Sequence, residues 1–131
     1  MATINKGDDR APGNPDFFAG GDVFSTPLSE PMEPDGVRVI VVEFPPGARS
    51  NWHWHPAGQV LHIVSGSGIV ANRDGQVLRM EQGDTVTASP GEVHWHGADR
   101  ESTMLQLSIT THGGAQWAEA VSDEEYRQAL D

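Results

Sequence analysis

Glycine and proline cut the apolar residues of this chain into short runs, and that punctuation constrains its fold more than any other feature. Fifteen Gly and nine Pro are spread through 131 residues, leaving little room for long helices and fitting many short strands joined by turns. The clearest strand is Val37 to Phe44, where Arg38, Ile40, Val42 and Phe44 alternate with Val37, Val39, Val41 and Glu43. Successive strand side chains point to opposite faces, so both faces here are largely apolar and both need cover. Further strands are predicted at 23–28, 52–55, 59–64, 68–72, 77–80, 85–88, 93–96 and 103–110. Turn signals such as Pro45-Pro46-Gly47, Arg73-Asp74-Gly75 and Ser89-Pro90-Gly91 separate them. Nine short strands within about ninety residues predict an all-β, closed or nearly closed antiparallel barrel.

The length matches one ordinary domain with one site. Residues 37–131 form the predicted body. Residues 1–36, rich in Gly, Pro and Asp, read as an arm with at most one strand, open to being swapped, which Phe17, Phe18 and Phe24 would bind to the body or to a partner chain. One helix is expected in the tail, where Ser122 and Glu125 form a capping-box pair and Val121 and Tyr126 sit at hydrophobic-staple positions.

Eight Lys plus Arg against nineteen Asp plus Glu give a net charge of −11, which repels nucleic acid and anionic lipid alike. The first residues lack an apolar leader and no run is long enough to span a membrane, so a cytoplasmic protein is expected. With no cysteine, any bound metal must be held by nitrogen and oxygen.

The histidines point to such a metal. His53-Trp54-His55 and His94-Trp95-His96 each place two imidazoles on one face of a strand with the tryptophan opposite. One isolated His-x-His is ordinarily a polar or interfacial pair. Two such pairs facing one interior would make a metal site with positions open to water or substrate. His62 alternates away from Gln59, Leu61 and Ile63, so it should be interfacial or exposed, and His112, beside Gly113-Gly114, falls in a loop. Ile40, Val42, Phe44, Leu61, Ile63, Met104 and Gln106 are candidates to line the interior, while Trp52, Trp54 and Trp95 should pack between sheets or subunits.

The run from Gly47 through His53-x-His55 and Gln59 to Gly66 resembles the first cupin motif, and Gly83-Asp84 through Pro90, Gly91 and His94 resembles the second. The resemblance implies a double-stranded β-helix, or jelly-roll barrel, with His53, His55, Gln59 and His94 as ligands of one divalent metal. Gln59 stands where the usual motif carries Glu, and Ala98 where it closes on Asn. Six residues rather than five separate Gly83 from Pro90, which predicts a small bulge that re-aims His94.

Further stretches, among them Asp16-Phe17-Phe18-Ala19-Gly20, Phe44-Pro45-Pro46-Gly47-Ala48-Arg49 and Asp123-Glu124-Glu125-Tyr126, are similar to the bacterial manganese-dependent cupin hydroxynitrile lyases. That likeness implies manganese, with iron, zinc and nickel as alternatives, and a lyase that cleaves or forms small α-hydroxynitriles. His96 would exchange protons, and Gln106 would share the catalytic end in place of a histidine found in some members. A small hydrophobic substrate and a homodimer or homotetramer are expected. Two other readings remain open from the same ligands: an iron-dependent dioxygenase acting on a diketone or aromatic diol, and a non-catalytic metal or small-ligand binder.

Overall fold

The computed structural model describes residues 1–32 and 35–131. Its amino-terminal part contributes β1 (Ala11–Pro12), a single 3-10 turn at Pro15–Phe17, β2 (Phe18–Ala19) and β3 (Phe24–Pro27). The body continues through β4 (Arg38–Phe44), β5 (Arg49–Ser50), β6 (His53–Trp54), β7 (Gln59–Ser65), β8 (Ser67–Asn72) and β9 (Val77–Glu81). It is completed by β10 (Thr85–Ala88), β11 (His94–Ala98), β12 (Met104–Thr110), β13 (Gln116–Trp117) and helix α1 (Asp123–Leu130).

These strands form two antiparallel sheets. One has the order β1-β3-β4-β12-β7-β10; the other runs β13-β6-β11-β5-β2, with β8 paired to β11 and β9 to β8. The chain is therefore a jelly roll of two facing sheets, not one ring of strands. The crossing from β7 to β8 passes through Gly66 at φ +77°, where any Cβ would strike the Thr103 carbonyl, so only glycine makes this step.

Between the sheets, Val42, Phe44, Ile63 and Met104 of the first meet Val70, Met80 and Ala98 of the second. Each large side chain fully buried there contributes about 1.5–3 kcal/mol over the exposed state. A second cluster lies outside the β8–β11 layer, where Trp52, Ile69, Ala71 and Trp95 pack on Val121, Tyr126 and Leu130. The helix begins as predicted: Ser122 Oγ accepts from the Glu125 amide and the Glu125 carboxylate accepts from the Ser122 amide. The buried Arg49 guanidinium fastens its start, donating to the Val121 carbonyl at 2.8 Å and to Asp123 at 2.7 Å. Among the described residues no helix is long and apolar enough to cross a membrane.

Two expectations need correcting. The arm carries three short strands rather than at most one, because pairing at a sheet edge needs only backbone N–H and C=O groups. Two-residue strands such as Ala11–Pro12 and Phe18–Ala19 are too short to show any alternation. Nor does a bulge form between Gly83 and Pro90: β10 pairs with β7 without a break from Thr85↔His62 to Ala88↔Gln59. The extra residue is taken up in turns, and the register shifts instead between Leu105 and Gln106 of β12.

Candidate metal centre

Strands β6 and β11 pair with His53 opposite His94, so the two His-Trp-His tripeptides alternate in step. All four imidazoles turn inward and are buried, Trp95 turns outward under the helix, and Trp54 is exposed. The His53 ring centroid lies 4.4 Å from that of His94, 5.1 Å from His96 and 5.2 Å from His55. One nitrogen each from His53, His94 and His96 falls within 4.8 Å of the others, close enough to hold one metal ion. His96 thus stands inside the cluster, nearer than a position just outside the ligands would suggest.

A tight turn returns the chain from His55 to Gln59. The Gly58 and Gly91 amides both donate to the His55 carbonyl. Gly58 has φ +83°, and a Cβ there would lie 2.7 Å from the Ala88 carbonyl oxygen. Gln59 then enters the site with Nε2 donating to Ser108 Oγ at 2.7 Å and Oε1 lying 2.9 Å from His94 Nε2.

Backbone carbonyls set the ring orientations. His53 Nδ1 lies 2.9 Å from the Asn51 carbonyl and His94 Nδ1 lies 2.9 Å from that of Glu92. With the proton on Nδ1, each ring presents a bare Nε2 lone pair to the cavity. In the His94–Gln59 contact a lone pair then faces the amide oxygen, and a cation between them would relieve that opposition. Both His55 nitrogens, Nδ1 of His96 and both amide atoms of Gln106 are buried without a hydrogen-bond partner. Buried polar atoms are normally satisfied, so this concentration of orphans, with three convergent imidazoles, fits a site built for an ion and a polar ligand.

Burial keeps the rings neutral. It pushes His53 down to about 3, with the neighbouring His94 adding to the effect, and His55 down to about 4. The same desolvation lowers His94, and it lowers His96 well below its ordinary value, with His53 and His94 next in effect and the Gln106 amide opposing. Neutral imidazole is the form that ligates a metal or accepts a proton.

A cavity of about 190 Å³ opens above the cluster. His53, His55, Gln59 and His96 form its floor, Phe18, Ile40, Val42, Phe44 and Trp117 much of its wall, and Arg38, Thr110 and Gly114 lie among its other lining residues. The inward stripe Ile40, Val42, Phe44 is as alternation predicted. Leu61, Ile63, Met104 and Gln106 are fully buried and do not line the cavity; Gln106 sits beside His96. His62 is half-buried on the outer face, bonded to Thr85, and His112 lies exposed in its loop. Trp52 and Trp95 pack beneath the helix rather than between the sheets, because α1 covers the outer face of β8 and β11.

Trp117 carries no sequence signal, sitting on a two-residue strand paired to His53. Its indole stacks on Phe17 at 4.5 Å and lies 4.7 Å from the His53 ring. Ser108 and Thr110 could have been found by alternation from Gln106 along β12.

A comparison with curated proteins finds 40% identity to an (R)-mandelonitrile lyase of Granulicella tundricola, over 88% of this chain and 90% of that one. Among solved structures, a cupin-like protein from Thermotoga maritima superposes with a TM-score of 0.85 at 34% identity, covering 98% of this chain and 97% of the other. The polyketide cyclase RemF from Streptomyces resistomycificus shares the fold, with a TM-score of 0.74 at 15% identity over 100% and 94% of the two chains. The cupin domain profile matches residues 40–110, so on both sequence and architecture the chain belongs to the cupin family.

Proposed function

We propose that this cupin is a metal-dependent lyase that cleaves or forms small α-hydroxynitriles. One divalent ion, manganese in this reading, would be held by His53, His55, Gln59 and His94. The observation that carries the proposal is the floor of the cavity: neutral, buried imidazoles converge with an amide oxygen beneath an apolar wall. The 40% identity to a protein named (R)-mandelonitrile lyase supports the same chemistry. When bound, the metal supplies Lewis-acid stabilisation of charge developing on a substrate oxygen.

The chain's own residues do the rest. Gln59 offers an uncharged oxygen where a carboxylate would cancel part of the ion's charge, so the site keeps a stronger pull on anionic oxygen. His96, neutral and with Nδ1 unpartnered, takes the hydroxyl proton as the bond to the nitrile carbon breaks. The products are an aldehyde and cyanide, which receives that proton. Gln106, next to His96, offers an amide oxygen to steady the transient imidazolium. Phe18, Ile40, Val42, Phe44 and Trp117 exclude water and accept the hydrophobic part of the substrate.

The test is release of benzaldehyde from mandelonitrile by purified protein of measured metal content. Stripping with a chelator should abolish cleavage and added manganese(II) should restore it. Stripped protein as active as the loaded form would overturn the reading.

A further inference from the structure

We infer that the cavity takes a substrate bearing a carboxylate at the end remote from the histidines, and that Arg38 selects it. The inward residues of β4 and β12 face each other in rows: Phe44 with Met104, Val42 with Gln106, Ile40 with Ser108, and Arg38 with Thr110. Ser108 bonds Gln59, so the Ile40–Ser108 row touches the metal-binding floor. The Arg38–Thr110 row is one step outward, about 7 Å along the strands.

The Arg38 side chain reaches across this outer row. Its Nη1 would lie 3.8 Å from a Cβ added at Gly114, so it extends from β4 toward the turn at 113–114. Among the described residues no carboxylate lines the cavity, and Arg38 is the one permanently charged side chain there. Arg38 is exposed at the rim of the cavity, and on that side its positive charge borders the apolar wall in a chain of net charge −11. Among the described residues Arg38 makes no ion pair. A planar guanidinium at such a mouth matches a carboxylate with two parallel N–H donors and gains little from a neutral group. The substrate class is therefore a hydroxynitrile, or its aldehyde partner, whose ring or chain carries a carboxylate at the end remote from the reacting carbon.

The inference rests on the cavity being the substrate site, but not on which bond is broken there. The experiment measures binding by calorimetry to the metal-loaded protein, comparing 4-formylbenzoate with 4-formylbenzamide, which has the same shape without the charge. The carboxylate should bind about tenfold more tightly at low salt, and the gap should narrow at high salt. Arg38→Gln should bring the two ligands level, and Arg38→Lys should keep part of the preference.

Equal binding of the two ligands to the unaltered protein would overturn the proposal, and it is the result to expect if Asp9 and Glu30, which share a neighbouring depression with Arg38, hold its guanidinium in solution. A preference that survives Arg38→Gln would overturn it too, because the carboxylate would then be taken at the histidine end. A preference that depends on Arg38 in a protein that never cleaves mandelonitrile would sink the lyase reading and leave this one standing.

Discussion

The two faces of β11 present opposite kinds of surface. His94 and His96 point inward, where both His55 nitrogens, His96 Nδ1 and the Gln106 amide lack partners. Trp95 points outward among Val121, Tyr126 and Leu130. There most polar groups are answered: Tyr126 donates to the Ala98 carbonyl at 2.6 Å and Arg49 to that of Val121, with the indole N–H of Trp52 the exception. One face thus holds the fold together while the other keeps unsatisfied groups ready for a ligand. Strand alternation makes the two roles separable by single substitutions one residue apart.

The sharpest way to break that comparison is to alter each face in turn. On the proposed function, His94→Ala should reduce metal binding and mandelonitrile cleavage by about 10³-fold, while thermal unfolding of the metal-free protein changes little. Metal content, turnover and unfolding measured on one preparation would check this, and a collapsed fold would show that the inner face is structural after all. Next in size, His96→Ala should lower kcat by about 10²–10⁴-fold, the range expected when a proton-transfer group is removed; metal content measured alongside separates that role from a share in holding the ion, since His96 lies within its reach. Trp95→Ala should do the reverse of both. It leaves a large cavity under the helix and should destabilise by about 3–5 kcal/mol in denaturant unfolding, with metal content unchanged at temperatures where the protein stays folded.

Acidification sharpens the contrast further. Burial holds His53 at about 3 and His55 at about 4, against an ordinary 6.5. Below about pH 6.5 the unfolded chain takes up protons on these rings that the folded chain refuses, so metal-free protein should lose stability as the pH falls toward 4. Each ring should contribute on the order of 3 kcal/mol to that loss. A His53→Gln, His55→Gln double variant should show a visibly shallower decline in its unfolding midpoint, whereas parallel curves would mean that the rings are protonated within the fold.

Much of this arrangement could be read from residue order. Alternation along Val37–Phe44 gave the inward stripe, the two His-Trp-His tripeptides gave the cluster, and Ser122 with Glu125 gave the helix start, since each depends on local periodicity or spacing. The places of Trp117 and Phe18 in the cavity wall were not legible, because both sit on two-residue strands whose pairing is decided by distant backbone. The position of His96 within the cluster was also hidden: alternation says which way a ring points, but not how near the sheets bring it to His53. The split into two sheets depends on Gly66 meeting Thr103, a contact between residues far apart in the chain.

The smallest expected effect tests the outer face on its own. Tyr126 is buried, and its hydroxyl donates to the Ala98 carbonyl at the end of β11, two residues beyond His96. Tyr126→Phe keeps the ring under Trp95 and the Arg49 guanidinium over it, so packing is preserved and only the hydrogen bond is lost. A typical bond of this kind is worth about 1 kcal/mol net, rising toward 2 because the orphaned carbonyl stays buried. The unfolding midpoint should fall by that amount while metal content and turnover hold. Loss of turnover without loss of stability would show that the helix positions His96 through β11, and the two faces would then be coupled.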